Sequence, residues 1–387
     1  MTDDVVVTGY GVFTAFGYGE QALLDGVFAG RPAFAPVTRF DTDRFRTGYA
    51  AAHGDARGVL GQRQVLGACV RDALAAADLP GLSTVPLLAG TKGDFAGITR
   101  YWRAAVDGHD PDEAAVAPSV PAVLVRQVAE DVGLGGRQLA FTNACVAATN
   151  AVVHGCRMIR AGVADAVVAG GVYTVDEEVF GKFDSARALA ADNQVRPFAK
   201  GRSGLLLGDG AAALVLERAG SARARRAEPL ARVAGWDIAC DAHHMVQPHP
   251  GGRGMASAIT GALRRAGIGP DRIGYVNAHG TGTPANDVAE TAALHDALGP
   301  HARRVPVSST KSTMGHALEA AGAVELVISL LALRGAGLPP TAGYDEADPA
   351  CDLDYVPNTG RTGQPRYVLS LNSAFGGVNT AVVLERP

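Results

Sequence analysis

Short β-branched runs alternate with alanine-rich amphipathic stretches along the whole chain, the pattern of an α/β protein with buried sheets. The runs predict strands at Val5–Thr8, Ala166–Ala169, Ala213–Leu216, Tyr275–Asn277, Val305–Ser308 and Tyr367–Leu371. The amphipathic stretches predict helices at Gln64–Ala77, Ala147–Arg160, Gly254–Ala266, Asp287–Leu298 and Leu318–Arg334. The longest apolar stretch, residues 317–333, carries Glu319 and Glu325, so it reads as a buried helix rather than a membrane span. A polar, Arg/Ala-rich segment at 218–228 reads as a linker and divides the chain into halves at 1–225 and 226–387. Each half has a strand running into a reactive residue, Phe141-Thr-Asn-Ala-Cys145 and Gly274-Tyr-Val-Asn-Ala-His279, which points to an internal duplication.

Composition narrows the class of protein. With 387 residues, 47% hydrophobic and 19% charged, the chain buries a sizeable core and is not disordered. A net charge of −4 gives no ground for bulk nucleic-acid binding. Cys69, Cys145, Cys156, Cys240 and Cys351 are odd in number and widely spaced, without a C-x-x-C pair. That argues against a disulfide framework or zinc site and for a reducing compartment. The N-terminus lacks the basic-then-apolar layout of a signal peptide, so the expected location is the cytoplasm.

Candidate chemistry gathers at three turns. Cys145 precedes a predicted helix, where unpaired N–H groups and the helix dipole are expected to favour the thiolate. A lone apolar cysteine is more often structural, and local context alone does not overturn that. The second half does: Asn277-Ala-His279-Gly-Thr281-Gly-Thr283-Pro follows a strand, its Gly and Pro forcing a turn expected to expose the His. Thr281 and Thr283, two apart, are expected to point their hydroxyls together from an extended loop towards an amide-bearing ligand. Further on, Lys311-Ser-Thr-Met-Gly315-His316 precedes an apolar helix. Two His in Gly-rich turns with one Cys point to nucleophilic catalysis. No metal-ligand cluster or dinucleotide fingerprint occurs, and Gly208-Asp-Gly210 is too short for a phosphate loop.

With these motifs, and with Leu206-Leu-Gly-Asp-Gly-Ala211, Val7-Thr-Gly-Tyr-Gly-Val and Asn372-Ser-Ala-Phe-Gly-Gly-Val-Asn379, the chain resembles the β-ketoacyl-acyl carrier protein synthases of the thiolase-like condensing enzymes. The resemblance spans nearly the whole chain. It implies a five-layered α-β-α-β-α fold from two pseudo-duplicated halves, working as a dimer. It makes Cys145 the nucleophile, with His279 and His316 completing a Cys-His-His set and Lys311 and Glu325 supporting it, Lys311 anchoring the network around His316. Thr281 and Thr283 match the pair that binds phosphopantetheine amides. Phe375 matches the gating aromatic, whose backbone N–H forms the oxyanion hole with that of Cys145. The implied reaction is decarboxylative Claisen condensation of an acyl thioester with malonyl-acyl carrier protein, without metal or redox cofactor. The partners it implies are an acyl carrier protein and a second subunit, either a copy of this chain or a chain-length-factor-like paralogue; neither nucleic acid nor a membrane is among them.

Departures from the family pattern mark specialised metabolism. Ala199 and Ser203 stand where the family commonly has acids, and Glu319 stands where many relatives have Gly. Glu319, three residues after His316, is expected to pair with it and hold it charged. The Asn372 loop is one residue short, as in ketosynthases of type II polyketide systems, and the 50–63 region is compressed. The two other readings are a chain-length-factor-like subunit, disfavoured by the retained Cys-His-His set, and a non-decarboxylating acyltransferase. A thiolase needs a second catalytic Cys, and Cys351 looks structural. Because carrier proteins are acidic, Arg57, Arg63, Arg187 and Arg202 are the expected docking residues.

Overall fold

The computed structural model describes residues 4–54, 61–110 and 112–387. The first half supplies strands β1 (Val5–Thr14), β2 (Leu87–Gly90), β3 (Gln138–Phe141), β4 (Ala166–Tyr173) and β5 (Gly210–Arg218). The second supplies β6 (Ala231–Cys240), β7 (Ile273–Asn277), β8 (Val307–Ser308), β9 (Tyr367–Ala374) and β10 (Val378–Glu385). One hydrogen-bonded path runs β8-β7-β9-β10-β6-β1-β5-β4-β2-β3. Within each half the strands, counted along the chain, lie in the order third, second, fourth, fifth, first. The first three in that order are parallel and the rest antiparallel, in both halves. This identity of order and direction is the internal duplication.

The longer helices are α1 (Gln62–Ala77), α2 (Phe95–Val106), α3 (Pro121–Val132), α4 (Ala147–Arg160), α5 (Glu177–Ser185), α6 (Arg253–Ala266), α7 (Pro284–Leu298) and α8 (Ala321–Leu333). Three apolar clusters arrange them in layers. One packs α1 and α3 on the outer face of the first half through Leu66, Val70, Leu124 and Val128. A second packs α6 and α7 on the outer face of the other half through Ile259 and Leu294. The third places α4 and α8 between the sheets through Val152, Ile159, Val324 and Leu331. The result is five layers. Among the described residues, only the pairing of Val5–Val7 with Ala231–Val233 carries the sheet from one half to the other.

Several boundaries moved for physical reasons. β1 runs on to Thr14 because Gly9 and Gly11 lie where a Cβ would come within 2.3 Å of Ala73 O and 2.1 Å of Cys69 O. The close approach of α1 therefore hides the strand's alternation. The last helix starts late, at Ala321, after a 3-10 turn at Leu318–Ala320 in which Leu318 has φ +41. The expected strand at 305–308 is shorter, Val307–Ser308, and the expected linker contains a helical turn at Ala219–Ala224. β2 and β3, which read Leu-Leu-Ala-Gly and Gln-Leu-Ala-Phe, contain no β-branched residue and give no strand signal. Among the described residues no helix is long and apolar enough to cross a membrane, and all of α8 is buried.

Candidate active site

Cys145 sits in a 3-10 turn, Ala144–Val146, between β3 and α4. Ala144 just before it has φ +53, a conformation that costs a residue with a Cβ about 1–3 kcal/mol and turns the chain sharply into the helix. His316 occupies the equivalent connection of the second half, between β8 and the 3-10 turn that opens into α8. The duplication therefore pairs Cys145 with His316, not with His279 as the two strand motifs implied. His279 follows β7, whose counterpart is β2. Because α4 and α8 are the paired central helices, their preceding loops meet. His316 Nε2 lies 3.1 Å from Cys145 Sγ, and the His279 and His316 ring centroids are 5.4 Å apart at 81°.

Burial sets the charge states. It pushes the Cys145 thiol up to about 12; the negative field of Glu319 adds to this, while Lys311 and the backbone N–H oppose it. The helix terminus alone does not yield a thiolate, contrary to expectation. His279 is buried rather than exposed, since its turn folds back under α7. Desolvation first, then the Lys311 charge and the neighbouring His316, hold His279 well below the usual histidine value. Desolvation and Lys311 do the same to His316. Both rings are neutral near pH 7. Glu319 does not charge His316: its carboxyl is raised by burial and faces the field of Lys92 and Asp176.

Lys311 makes a buried ion pair with Glu325, which also accepts from Asn372 Nδ2. Asn372 Oδ1 in turn accepts from Thr149 Oγ1 on α4, at 2.6 Å. The chain of contacts ties the second half's polar core to the start of the helix that follows Cys145. Lys311 thus acts on the histidines through its charge, without a direct hydrogen bond among those of the described residues.

A cavity of about 440 Å³ reaches Cys145, His279 and His316. Thr281 and Thr283 line it with hydroxyl oxygens 2.9 Å apart, as expected for two side chains directed together. Phe375, 48% exposed, stacks on Phe183 with centroids 5.9 Å apart across the lining. Arg187 also lines it and is exposed. The other arginines differ. Arg63 is held by Asp131 at 2.5 and 2.6 Å and does not line the cavity. Arg202 is buried between Asp348 and Asp287 and donates to Ala199 O and Pro284 O, so it braces the interior rather than offering a docking charge. Arg57 lies outside the described residues. Cys351 is buried in the second half's apolar cluster, away from the cavity lining.

Two supporting acids escaped sequence reasoning. Glu290 accepts from the backbone N–H groups of His279 and Gly280, both at 2.7 Å. Asp287 accepts from Phe198 N at 2.7 Å and Gly282 N at 3.3 Å. Their signal was present: an acid pair at i and i+3 on the helix following a Gly-rich turn, with the turn's N–H groups needing acceptors. Ser203, at a position expected to be acidic, donates to Asp192 Oδ1 at 3.1 Å on the cavity's edge.

A thiol flanked by two neutral imidazoles, reached through a hydroxyl-lined neck on a thiolase-like duplicated fold, defines an acyl-transfer enzyme of the condensing class. The comparisons with known proteins agree. Residues 60–222 match the family model for the β-ketoacyl synthase N-terminal domain, and 230–345 that for the β-ketoacyl synthase C-terminal domain. The chain belongs to the β-ketoacyl synthase family. It is 37% identical to the tetracenomycin polyketide synthase ketoacyl synthase alpha subunit of Streptomyces glaucescens, covering 99% of this chain and 97% of the relative. It is 33% identical to 3-oxoacyl-[acyl-carrier-protein] synthase 2 of Synechocystis sp. (strain ATCC 27184 / PCC 6803 / Kazusa), covering 99% and 98%. Among solved structures, the ishigamide ketosynthase/chain length factor superposes with a TM-score of 0.93 at 34% identity over 99% of both chains. A type II polyketide synthase acyl-carrier protein in complex with its ketosynthase bound to the hexaketide gives 0.92 at 27% identity over 100% of both.

Proposed function

We propose that Cys145 accepts the acyl group and that His279 and His316 drive decarboxylative condensation with malonyl-acyl carrier protein in a type II polyketide or specialised fatty-acid pathway. The observation that carries this reading is the 3.1 Å contact between His316 Nε2 and Cys145 Sγ, with the second neutral ring beside it. A thiol raised by burial needs a base, and a neutral imidazole at hydrogen-bond distance accepts its proton as Sγ attacks the thioester carbonyl. The carrier's C–S bond breaks as the imidazole returns that proton to the departing sulfur, and a change of tautomer then leaves neutral His316 with its N–H at Nε2. Malonyl thioester then loses CO₂, and two imidazole N–H donors stabilise the enolate oxygen. The enolate carbon attacks the acyl-Cys145 carbonyl, forming the C–C bond and expelling the Cys145 sulfur, which takes a proton from His316 Nε2 while that ring regains one from solvent. The backbone N–H groups of Cys145 and Phe375 bind the oxyanion in both acyl transfers.

In this reading Lys311 and Glu325 hold the local charge balance, while Thr281 and Thr283 bind the phosphopantetheine amides. Phe375 gates the neck, and Arg187 meets the acidic carrier. The enzyme uses no metal or redox cofactor; its substrates arrive on phosphopantetheine. It works in the cytoplasm as a homodimer or as a heterodimer with a chain-length-factor-like paralogue, its halves meeting at 225/226. Intact-protein mass spectrometry with acyl carriers tests the assignment. An acyl mass on the Cys145 peptide, absent in Cys145→Ala, is expected; labelling at Cys156 or Cys351 instead overturns it.

A further inference from the structure

Cys145 borders a second polar region that the mechanism above does not use. It shares an apolar cluster with Tyr173, Val175, Val179 and Leu318. Within that wall the Tyr173 hydroxyl and Glu319 Oε2 are fully buried and have no hydrogen-bond partner among the described residues. Neither residue lines the histidine cavity. Behind them Lys92 Nζ pairs with Asp176 at 2.8 Å, stands 3.8 Å from Glu178 and sits 4.2 Å above the Phe95 ring. Glu178 is also paired with Lys182. Three carboxylates, Asp176, Glu178 and Glu319, therefore face two ammonium groups, and Glu319 is the one left over. The negative field of Glu319 reaches both Cys145 and Tyr173. A buried acceptor and a buried hydroxyl left open beside a nucleophile are costly unless something completes them.

We propose that Glu319 and Tyr173 form a recognition site for the acyl group carried on Cys145, selecting an acyl chain that bears a hydrogen-bond donor, a hydroxyl or an amine, over a plain hydrocarbon. This rests on the reading of Cys145 as the acyl acceptor. Glu319 Oε2 accepts from the donor, and the Tyr173 hydroxyl supplies the complementary contact. Lys92 and Asp176 hold the cluster's charge so that the carboxyl stays directed at the wall. A hydrocarbon chain in the same place leaves both groups unpaired against apolar surface, which is the asymmetry by which a polar site rejects an apolar analogue.

The test acylates the full-length protein with N-acetylcysteamine thioesters of short and medium straight chains, each unsubstituted, ω-hydroxylated or ω-aminated. The rate of mass gain at Cys145 is read for wild type, Glu319→Gln, Glu319→Ala and Tyr173→Phe. At the best chain length, wild type is expected to take a hydroxy or amino member about tenfold faster than its hydrocarbon match. Glu319→Ala should reverse that order. Glu319→Gln separates the donors: retention of the hydroxy member with loss of the amino one identifies an amine recognised by the carboxylate, and retention of both preferences assigns a hydroxyl. Faster acylation of wild type by hydrocarbons, or an equal change for all members in the Glu319 variants, overturns the recognition site alone. Failure of every thioester to label Cys145 overturns the nucleophile assignment and this inference with it.

Discussion

The loops delivering Cys145 and His316 hold equivalent places in the two halves, yet different forces fix them. Around Cys145 the determinants are steric. Gly90 and Gly171, in β2 and β4, lie where added Cβ atoms would meet Ala148 N at 2.5 Å and Ala148 Cβ at 2.8 Å, so α4 starts directly on the sheet. Around His316 polar contacts join the close packing, in which a Cβ on Gly208 would come within 2.0 Å of Met314 O. The His316 N–H donates to Leu206 O at 2.8 Å, its carbonyl accepts from Gly208 N at 3.1 Å, and Lys311–Glu325 lies beneath. The duplication supplied one scaffold; one copy became a tight apolar seat for sulfur and the other a buried polar frame for imidazole. Charge substitutions should therefore damage the second loop more than the first.

The largest expected effect comes from splitting the buried ion pair. Lys311→Met leaves Glu325 as an uncompensated buried carboxylate and should cost about 3–5 kcal/mol of stability in urea unfolding. Lys311→Met/Glu325→Leu should regain most of that stability while condensation stays impaired. Full loss of stability in the double variant would show that shape, not charge, holds this loop.

Next come the histidines. His279→Ala or His316→Ala should each slow malonyl decarboxylation by about two to three decades, the usual cost of losing one such donor. The two should differ in acylation: only His316 touches Sγ, so only His316→Ala should slow acyl transfer strongly. Since both rings are neutral well below the usual histidine range, the decarboxylation rate of wild type should show no histidine titration between about pH 6 and 8. Decarboxylation at the wild-type rate in both variants would remove the mechanism proposed above.

Gly171→Ala probes the steric side. Its Cβ would meet Ala148 Cβ at 2.8 Å, Glu319 O at 2.8 Å and Gly90 O at 2.9 Å. Overpacking of this kind costs about 1–3 kcal/mol. Acylation of Cys145 should fall more than malonyl decarboxylation, because the start of α4 shifts while the histidine loops keep their hydrogen bonds. Equal losses in both steps would dissolve the distinction between the two loops.

What could be read from residues alone follows the same division. Helix α4 appears at its predicted bounds, Ala147–Arg160, because its apolar face repeats at helical spacing without interruption. His279 and His316 drew notice because their Gly-rich turns stand out locally, and Cys145 only in their company, since its own turn carries no Gly. Their pairing was not legible, since the match of β3 with β8 depends on strand order that no local motif encodes. The left-handed Ala144 was hidden because nothing but Gly or Asn announces such a conformation. The thiol's charge state was misread because a local helix terminus is visible in sequence and burial by distant residues is not. Arg202 was misread for the same reason, its partners Asp287 and Asp348 being far away in the chain.

The smallest effect on turnover is expected at Glu290, and its signature is in pH. Burial raises this carboxyl to about 7, opposed by the Gly280 and His279 N–H groups it accepts and reinforced by Asp287. The unfolded chain titrates near the ordinary glutamate value, about 4.3. A folded value above the unfolded one contributes stability that is fully present below about pH 4.3 and is lost as pH rises through about 7. Glu290→Gln removes that titration while keeping one oxygen acceptor for the His279 turn, so turnover should fall only a few-fold. The melting temperature of the wild type should then fall relative to that of Glu290→Gln from pH 5 to pH 8. Parallel melting profiles would mean that Glu290 is ionised throughout. The His279 turn would then be held by a permanent buried anion rather than by a carboxyl that shares its proton with the pH of the medium.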